Sequence, residues 1–117
     1  MKKIGIEKIN LYGGSLFLDQ VRLAEARGLD PDTVVRDFLI DTRSVIPPYE
    51  DTVTLGANAA AKMLTQDDIN SIGMLVVGTE SSVDFGKPVS TNIHRALGLG
   101  PNVRNYETKH ACYSGVA

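Results

Sequence analysis

The unbroken apolar run Ile72-Gly73-Met74-Leu75-Val76-Val77-Gly78 most narrows what this chain can fold into. A stretch with neither helical nor alternating polarity, bounded by polar residues, reads as a strand covered on both faces of a sheet. Pro88 to Leu97 then reads as a helix closed by Gly98, and Val103 to Tyr106 as a further strand. A strand, a helix and a second strand in succession call for a crossover connection, the signature of parallel pairing.

The upstream residues carry the same alternation. Ile4 to Leu11 places apolar residues at even steps before it shifts, and reads as a strand ended by Tyr12-Gly13-Gly14. Asp19 can cap a helix through Val21, Leu23, Ala24 and Ala26 that Gly28 would stop, and Asp30-Pro31 pairs a cap with proline at the first helical position. Arg43 to Ile46 reads as an edge strand or extended loop before Pro47-Pro48. From Thr52 to Leu64, Val53, Gly56, Ala57, Ala60 and Leu64 recur at helical spacing, and the small residues imply close approach to a neighbour. Thr65-Gln66-Asp67-Asp68 has the form of a capping box for one more short helix. The fold class expected is α/β, with at least a partly parallel sheet.

Composition excludes several functions. Twelve basic residues against 14 acidic ones leave no surplus to hold a polyanion, so no nucleic acid is expected as a partner. No apolar run reaches membrane-spanning length, and MKKIGIEKIN lacks the apolar core of a signal peptide. With one cysteine and no internal disulfide to form, a cytoplasmic location is expected. Two histidines and one cysteine, never at ligand spacing, suggest neither a metal site nor a bound cofactor. No internal repeat or linker divides the 117 residues, which suffice for one modest domain.

In a sheet of this class functional groups collect beyond the carboxyl ends of the strands. Glu80 follows Val76-Val77-Gly78-Thr79 directly, where a carboxylate leaves an apolar strand and desolvation would favour its protonated form. A solvated loop residue ending the strand is the plainer account of it. Cys112 follows Val103-Arg104-Asn105-Tyr106 within Glu107 to Ala117, ETKHACYSGVA, and the small residues after it suit a tight turn and the first turn of a helix. A thiol between strand end and helix start is helped toward thiolate by the helix dipole, although a lone cysteine is most often a small buried hydrophobe. Together, a thiol and a carboxyl group facing one crevice are the minimum for thioester chemistry. His110, two residues before Cys112, would point the same way in an extended segment and tune the thiol. His94 reads as a helper on its helix, and Asp84 and Lys87 as residues that shape the loop over the crevice.

IGIEKINLY, LAEARGLDP, LGANAA, VVGTESSVDFGK and ETKHACYSG, in this order and at this spacing, resemble the 3-hydroxy-3-methylglutaryl-CoA synthases of the thiolase-like superfamily across the whole chain. The resemblance implies a thiolase-like layered αβαβα fold, of which residues 1–117 are the N-terminal part of the first half-domain, ending just after the nucleophile. By the same resemblance Cys112 takes an acetyl group from a thioester. Glu80 removes a proton from the acetyl methyl group and assists at the ketone oxygen of the second substrate. A histidine that polarises the acceptor lies well after the cysteine in the family. A second chain carrying that histidine and the rest of the fold is therefore expected as a partner, unless the remainder is missing, and the complete unit is expected to be a homodimer.

Two branches of the family compete. One uses acetyl-CoA and acetoacetyl-CoA; the other inserts β-branches into polyketides held on acyl carrier proteins. Tyr12-Gly13-Gly14, Pro48-Tyr49-Glu50-Asp51, Asp84-Phe85-Gly86-Lys87, Ser90-Thr91 with Ile93-His94, and Ser114-Gly115 resemble the second, which makes carrier proteins the expected partners. In either branch the substrates bring phosphopantetheine or CoA. Three residues after Asp30, where the family commonly has Lys or Arg for a donor phosphate, this chain has Thr33; Arg36 and Arg27 are the candidates to supply the charge. Outside this reading stand a decarboxylating ketosynthase, which would not need Glu80, and a non-catalytic module that docks carrier proteins.

Overall fold

The computed structural model describes residues 4–116, and their backbone divides into two compact units, Gly13–Glu50 and residues 4–12 together with 51–116. In the Gly13–Glu50 unit, strand β1 (Leu16–Asp19) leads into helix α1 (Gln20–Ala26), followed by α2 (Pro31–Phe38) and strand β2 (Thr42–Val45). The Asp19 carboxylate accepts from Arg22 N at 3.0 Å and starts α1. Its end is a Schellman turn: Gly28 sits at φ 66°, Gly28 N donates to Glu25 O at 3.1 Å and Leu29 N to Ala24 O at 2.9 Å. Asp30 caps α2 through the amides of Asp32 and Thr33, with Pro31 at its first position. Of Arg43 to Ile46, Arg43 to Val45 does enter a strand and Ile46 does not, because Leu16–Asp19 pairs antiparallel with Thr42–Val45 in the register Leu16↔Val45 to Asp19↔Thr42.

The second unit holds α3 (Thr52–Ala61), α4 (Gln66–Ser71), β3 (Met74–Gly78), α5 (Val89–Leu97) and β4 (Arg104–Thr108). A reciprocal Asp51–Thr54 box starts α3 and a Thr65–Asp68 box starts α4. β3 and β4 pair in parallel through the α5 crossover, from Met74↔Arg104 to Gly78↔Thr108. α5 packs on both strands and on α3, burying Val89, Ile93, Leu99 and Val103. Gly56 lets α3 approach, since a Cβ there would lie 2.6 Å from Ile93 Cδ1. α5 ends at Gly98, φ 65°, as its position implied.

Two expectations need correction. Residues 4–14 form no strand: none of the described strands pairs with them, and without a ladder the alternating isoleucines stand in solvent, Ile4 100% and Ile6 86% exposed. Side chains hold the segment instead. Lys8 pairs with Asp68, Asn10 Nδ2 donates to Ala59 O at 2.7 Å, and Lys62 lies over the Tyr12 ring. Nor is β3 covered on both faces among the described residues: Leu75 and Val77 are half-buried, whereas Met74 and Val76 are exposed.

Asp68 accepts from Lys8 and from the hydroxyl and amide of Thr65, and these bonds hold its carboxyl far below the usual carboxylate range, the Lys8 bond most strongly. A depressed folded-state pKa contributes stability above the unfolded value of 3.8 that is lost as pH falls through the folded one. In the complete protein containing this sequence, Asp68→Asn should lower the melting temperature at neutral pH, with the gap to wild type closing only well below pH 3.8. A gap constant from neutral to strongly acid pH would contradict this.

Candidate active site

Parallel pairing sends the carboxyl ends of β3 and β4 to one edge of the sheet, and a further bond from Thr79 N, one residue past β3, to Thr108 O at the end of β4 spans 3.1 Å. Glu80 stands in the loop beyond β3 and Cys112 in the turn beyond β4, both exposed. The backbone of the Cys112 turn sits directly on β3. A Cβ at Gly78 would be 2.4 Å from Ser114 O, 2.6 Å from Ser114 C and 2.7 Å from Gly115 Cα. Only a residue without a side chain permits that approach, and a glycine at a strand end is the sequence signal that could have marked it.

The segment after β4 is a succession of tight turns through residues 110–116, in keeping with the tight turn expected there, and no helix begins in it among the described residues. Tyr113 N donates to His110 O at 3.0 Å, Ser114 N to Ala111 O at 3.3 Å and Val116 N to Tyr113 O at 2.9 Å. Ala111 lies at φ 41°, a left-handed conformation costing about 1–2 kcal/mol for a residue with a Cβ, which ends the extended chain. The turn is tied back by Thr108 Oγ1 donating to Ser114 O at 2.8 Å, and Ser114 is buried. Because the backbone turns here, His110 is not aligned with the thiol along a strand; its ring packs edge-on against Tyr113, centroids 5.3 Å apart.

The loop carrying Glu80 is pinned on both sides. Ser81 N donates to Thr79 Oγ1 at 3.0 Å, Thr52 Oγ1 of α3 donates to Ser81 O at 2.8 Å, and the Ser82 hydroxyl donates to Glu107 of β4. Asp84 accepts from Gly86 N at 2.7 Å and Lys87 N at 2.9 Å, which shapes the following turn and lowers its carboxyl pKa, the Lys87 amide most. A cleft of 310 Å³ lies between residues 84–88 and Asn105, Tyr106 and Glu107. His94 on α5 contacts Asn105 Nδ2 through Nδ1 at 3.2 Å, a contact between the helix and β4.

Asp30, Thr33, Arg36 and Arg27 belong to the Gly13–Glu50 unit. The Thr33 hydroxyl donates to the Asp30 carboxylate, whose pKa is lowered first by that bond. Arg36 Nε pairs with Asp37 at 3.2 Å in solvent, and Arg27 is exposed at the end of α1. Among the described residues no group of three or more His, Cys, Asp or Glu could hold a metal ion, and no helix is long and apolar enough to cross a membrane.

The family model described as Hydroxymethylglutaryl-coenzyme A synthase N terminal matches residues 1–117. The chain belongs to the hydroxymethylglutaryl-CoA synthase family. It is similar to the polyketide biosynthesis 3-hydroxy-3-methylglutaryl-ACP synthase PksG of Bacillus subtilis, 43% identical over 120 residues that span all of this chain and 28% of the relative. It is also similar to the hydroxymethylglutaryl-CoA synthase of Enterococcus faecalis, 41% identical over 114 residues, 97% of this chain and 30% of the relative. Among solved structures, the HMG synthase of the curacin biosynthetic pathway in complex with acetyl donor-ACP superposes with a TM-score of 0.85 at 40% identity, over 95% of this chain and 28% of that one. The fold is thus the α/β fold of the N-terminal portion of these thiolase-like synthases, and the chain spans somewhat under a third of their length.

Proposed function

We propose that this chain is the N-terminal part of a thiolase-like condensing-enzyme domain and supplies two of its catalytic groups, Cys112 as nucleophile and Glu80 as general acid/base. The observation that carries the reading is the seat of Ser114 and Gly115 on Gly78, which fastens the turn holding the thiol to the strand that leads to the carboxylate. The thiolate of Cys112 attacks an acetyl thioester, forming S-acetyl-cysteine and releasing the donor thiol. Glu80 takes a proton from the acetyl methyl group, the carbanion adds to the β-ketone of a β-ketoacyl thioester, and the ketone oxygen is protonated. Water then cleaves the enzyme thioester, leaving a 3-hydroxy-3-carboxymethyl product. Arg27 and Arg36 are the groups assigned to the donor phosphate, because the Thr33 hydroxyl is turned to Asp30.

The acceptor proposed is a carrier-bound polyketide and the donor an acetyl group on an acyl carrier protein. The likeness to PksG and to the carrier-bound curacin synthase supports this branch, together with Asp84-Phe85-Gly86-Lys87 and Ser114-Gly115. The Enterococcus relative favours the alternative, acetyl-CoA with acetoacetyl-CoA. The catalyst is the complete protein containing this sequence, with the remaining fold and a histidine that polarises the acceptor, assembled as a homodimer.

Intact-mass spectrometry separates these readings. Incubated with acetyl-loaded carrier protein, the complete protein should gain one acetyl group, and Cys112→Ala should gain none. Labelling from the carrier but not from acetyl-CoA supports the polyketide branch, and efficient labelling from free acetyl-CoA supports the alternative. No labelling from either donor would overturn the catalytic reading in favour of a docking module.

A further inference from the structure

One carboxylate beside the site is neither the nucleophile nor the acid/base, yet it joins β4 to the loop after β3 and to the start of α5. Glu107 lies on β4 opposite Val77 of β3, part-buried, five positions before Cys112 along the chain. One of its oxygens accepts from the Ser82 hydroxyl, two residues past Glu80, and the other accepts from Val89 N at 2.7 Å. Val89 is the first residue of α5, whose N-cap position is filled by Pro88 with no side-chain cap. Glu107 therefore does the capping from another strand, placing a negative charge at the positive end of α5. Its carboxyl is held below the ordinary 4.5, chiefly by Ser82 and then by the Val89 amide, so it is a charged acceptor across the neutral range.

We propose that Glu107 is a positioning residue for Glu80: it clamps the loop after β3 to β4 and to the start of α5, holding the carboxylate in register with the turn that carries Cys112. The proposal rests on the acid/base reading of Glu80 given above. The Thr52 bond to Ser81 fixes the same loop to α3, so the backbone around Glu80 is held from two directions. Without the Glu107 bond the Ser82 end is released while the Thr52 end stays, and Glu80 swings relative to the sheet edge. The Cys112 turn keeps its own supports, the Gly78 seat and the Thr108 to Ser114 bond. Loss of Glu107 is thus expected to affect proton abstraction more than acyl transfer.

The test measures both steps in the complete protein: acetyl transfer to Cys112 by intact mass, and solvent deuterium uptake into the methyl group of the enzyme-bound acetyl thioester. Glu107→Ala should keep acetyl transfer within about threefold while methyl exchange falls about 10- to 100-fold, the scale of a misplacement near 1 Å. Ser82→Ala, a small change that leaves the α5 cap in place, should lower exchange in the same direction, and Glu107→Gln, which keeps an acceptor oxygen, should recover part of the loss. Equal losses in both steps, or exchange unchanged in Glu107→Ala and Ser82→Ala, would overturn the proposal. If Glu80→Ala itself exchanges at the wild-type rate, the acid/base reading fails and the proposal falls with it.

Discussion

Replacing Glu80 by alanine in the complete protein will cut carbon–carbon bond formation by about 10²- to 10⁴-fold, the usual contribution of a positioned acid/base. Acetyl loading of Cys112 will continue at close to the wild-type rate. The two steps separate because attack by the thiolate on an acetyl thioester asks nothing of Glu80, whereas the later carbanion needs a base within hydrogen-bond reach of the methyl group. Glu80 is exposed in a loop whose ends are tied by Thr79, Thr52 and Ser82, so removing its side chain withdraws the carboxylate and leaves those bonds in place. The check is a single-turnover assay following acetyl-enzyme and condensed product by mass. Condensation surviving within threefold of wild type would mean that another group is the base.

Gly78→Ala carries a comparably large effect by a different route. The new Cβ would meet the carbonyl carbon and oxygen of Ser114 and the Cα of Gly115 at 2.4–2.7 Å, all backbone atoms with no rotamer to give way. Either β3 or the turn must move, at a cost of about 1–3 kcal/mol for an overpacked contact. The turn is the weaker of the two, held by single bonds such as Thr108 Oγ1 to Ser114 O, so it shifts and takes Cys112 with it. Acetyl loading and condensation should fall together by about 100-fold, in contrast to Glu80→Ala, where only the second step falls. Differential scanning calorimetry beside the mass assay tests this, and a folded Gly78→Ala protein that loads acetyl at the wild-type rate would refute the seat as the device that positions the thiol.

The decisive contacts around the site run between segments far apart in the chain, and they divide from the local ones in what a sequence can reveal. Glu107 reaches 25 positions back to Ser82 and 18 to Val89, separations that no motif encodes. Gly78 was readable as a strand residue, but the backbone that would meet its Cβ belongs to residues 114 and 115. Cys112 and Glu80 were legible as strand-end residues because an apolar run and a crossover helix predict a parallel pair, and a parallel pair has one carboxyl edge. Ala111 shows the limit: the small residues after it suit a tight turn, yet its positive φ and the contacts that seat the turn, Gly78 against residues 114 and 115 and Thr108 Oγ1 to Ser114 O, are visible only in the fold.

What the sequence alone determined are the features whose partners lie two to five residues away. Asp19, Asp30 and the Thr65–Asp68 box start helices where they should, and Gly28 and Gly98 end them, because cap bonds close within one turn and depend on nothing else. Tertiary structure decided the rest. Ile4 to Leu11 has a strand's alternation and forms no strand among the described residues, while Leu16–Asp19, too short to announce itself, becomes one by pairing with Thr42–Val45. A helix satisfies its backbone hydrogen bonds from within, so its boundaries are written locally; a strand borrows its hydrogen bonds from another segment, so alternation is only an offer, and the fold decides whether a partner takes it up.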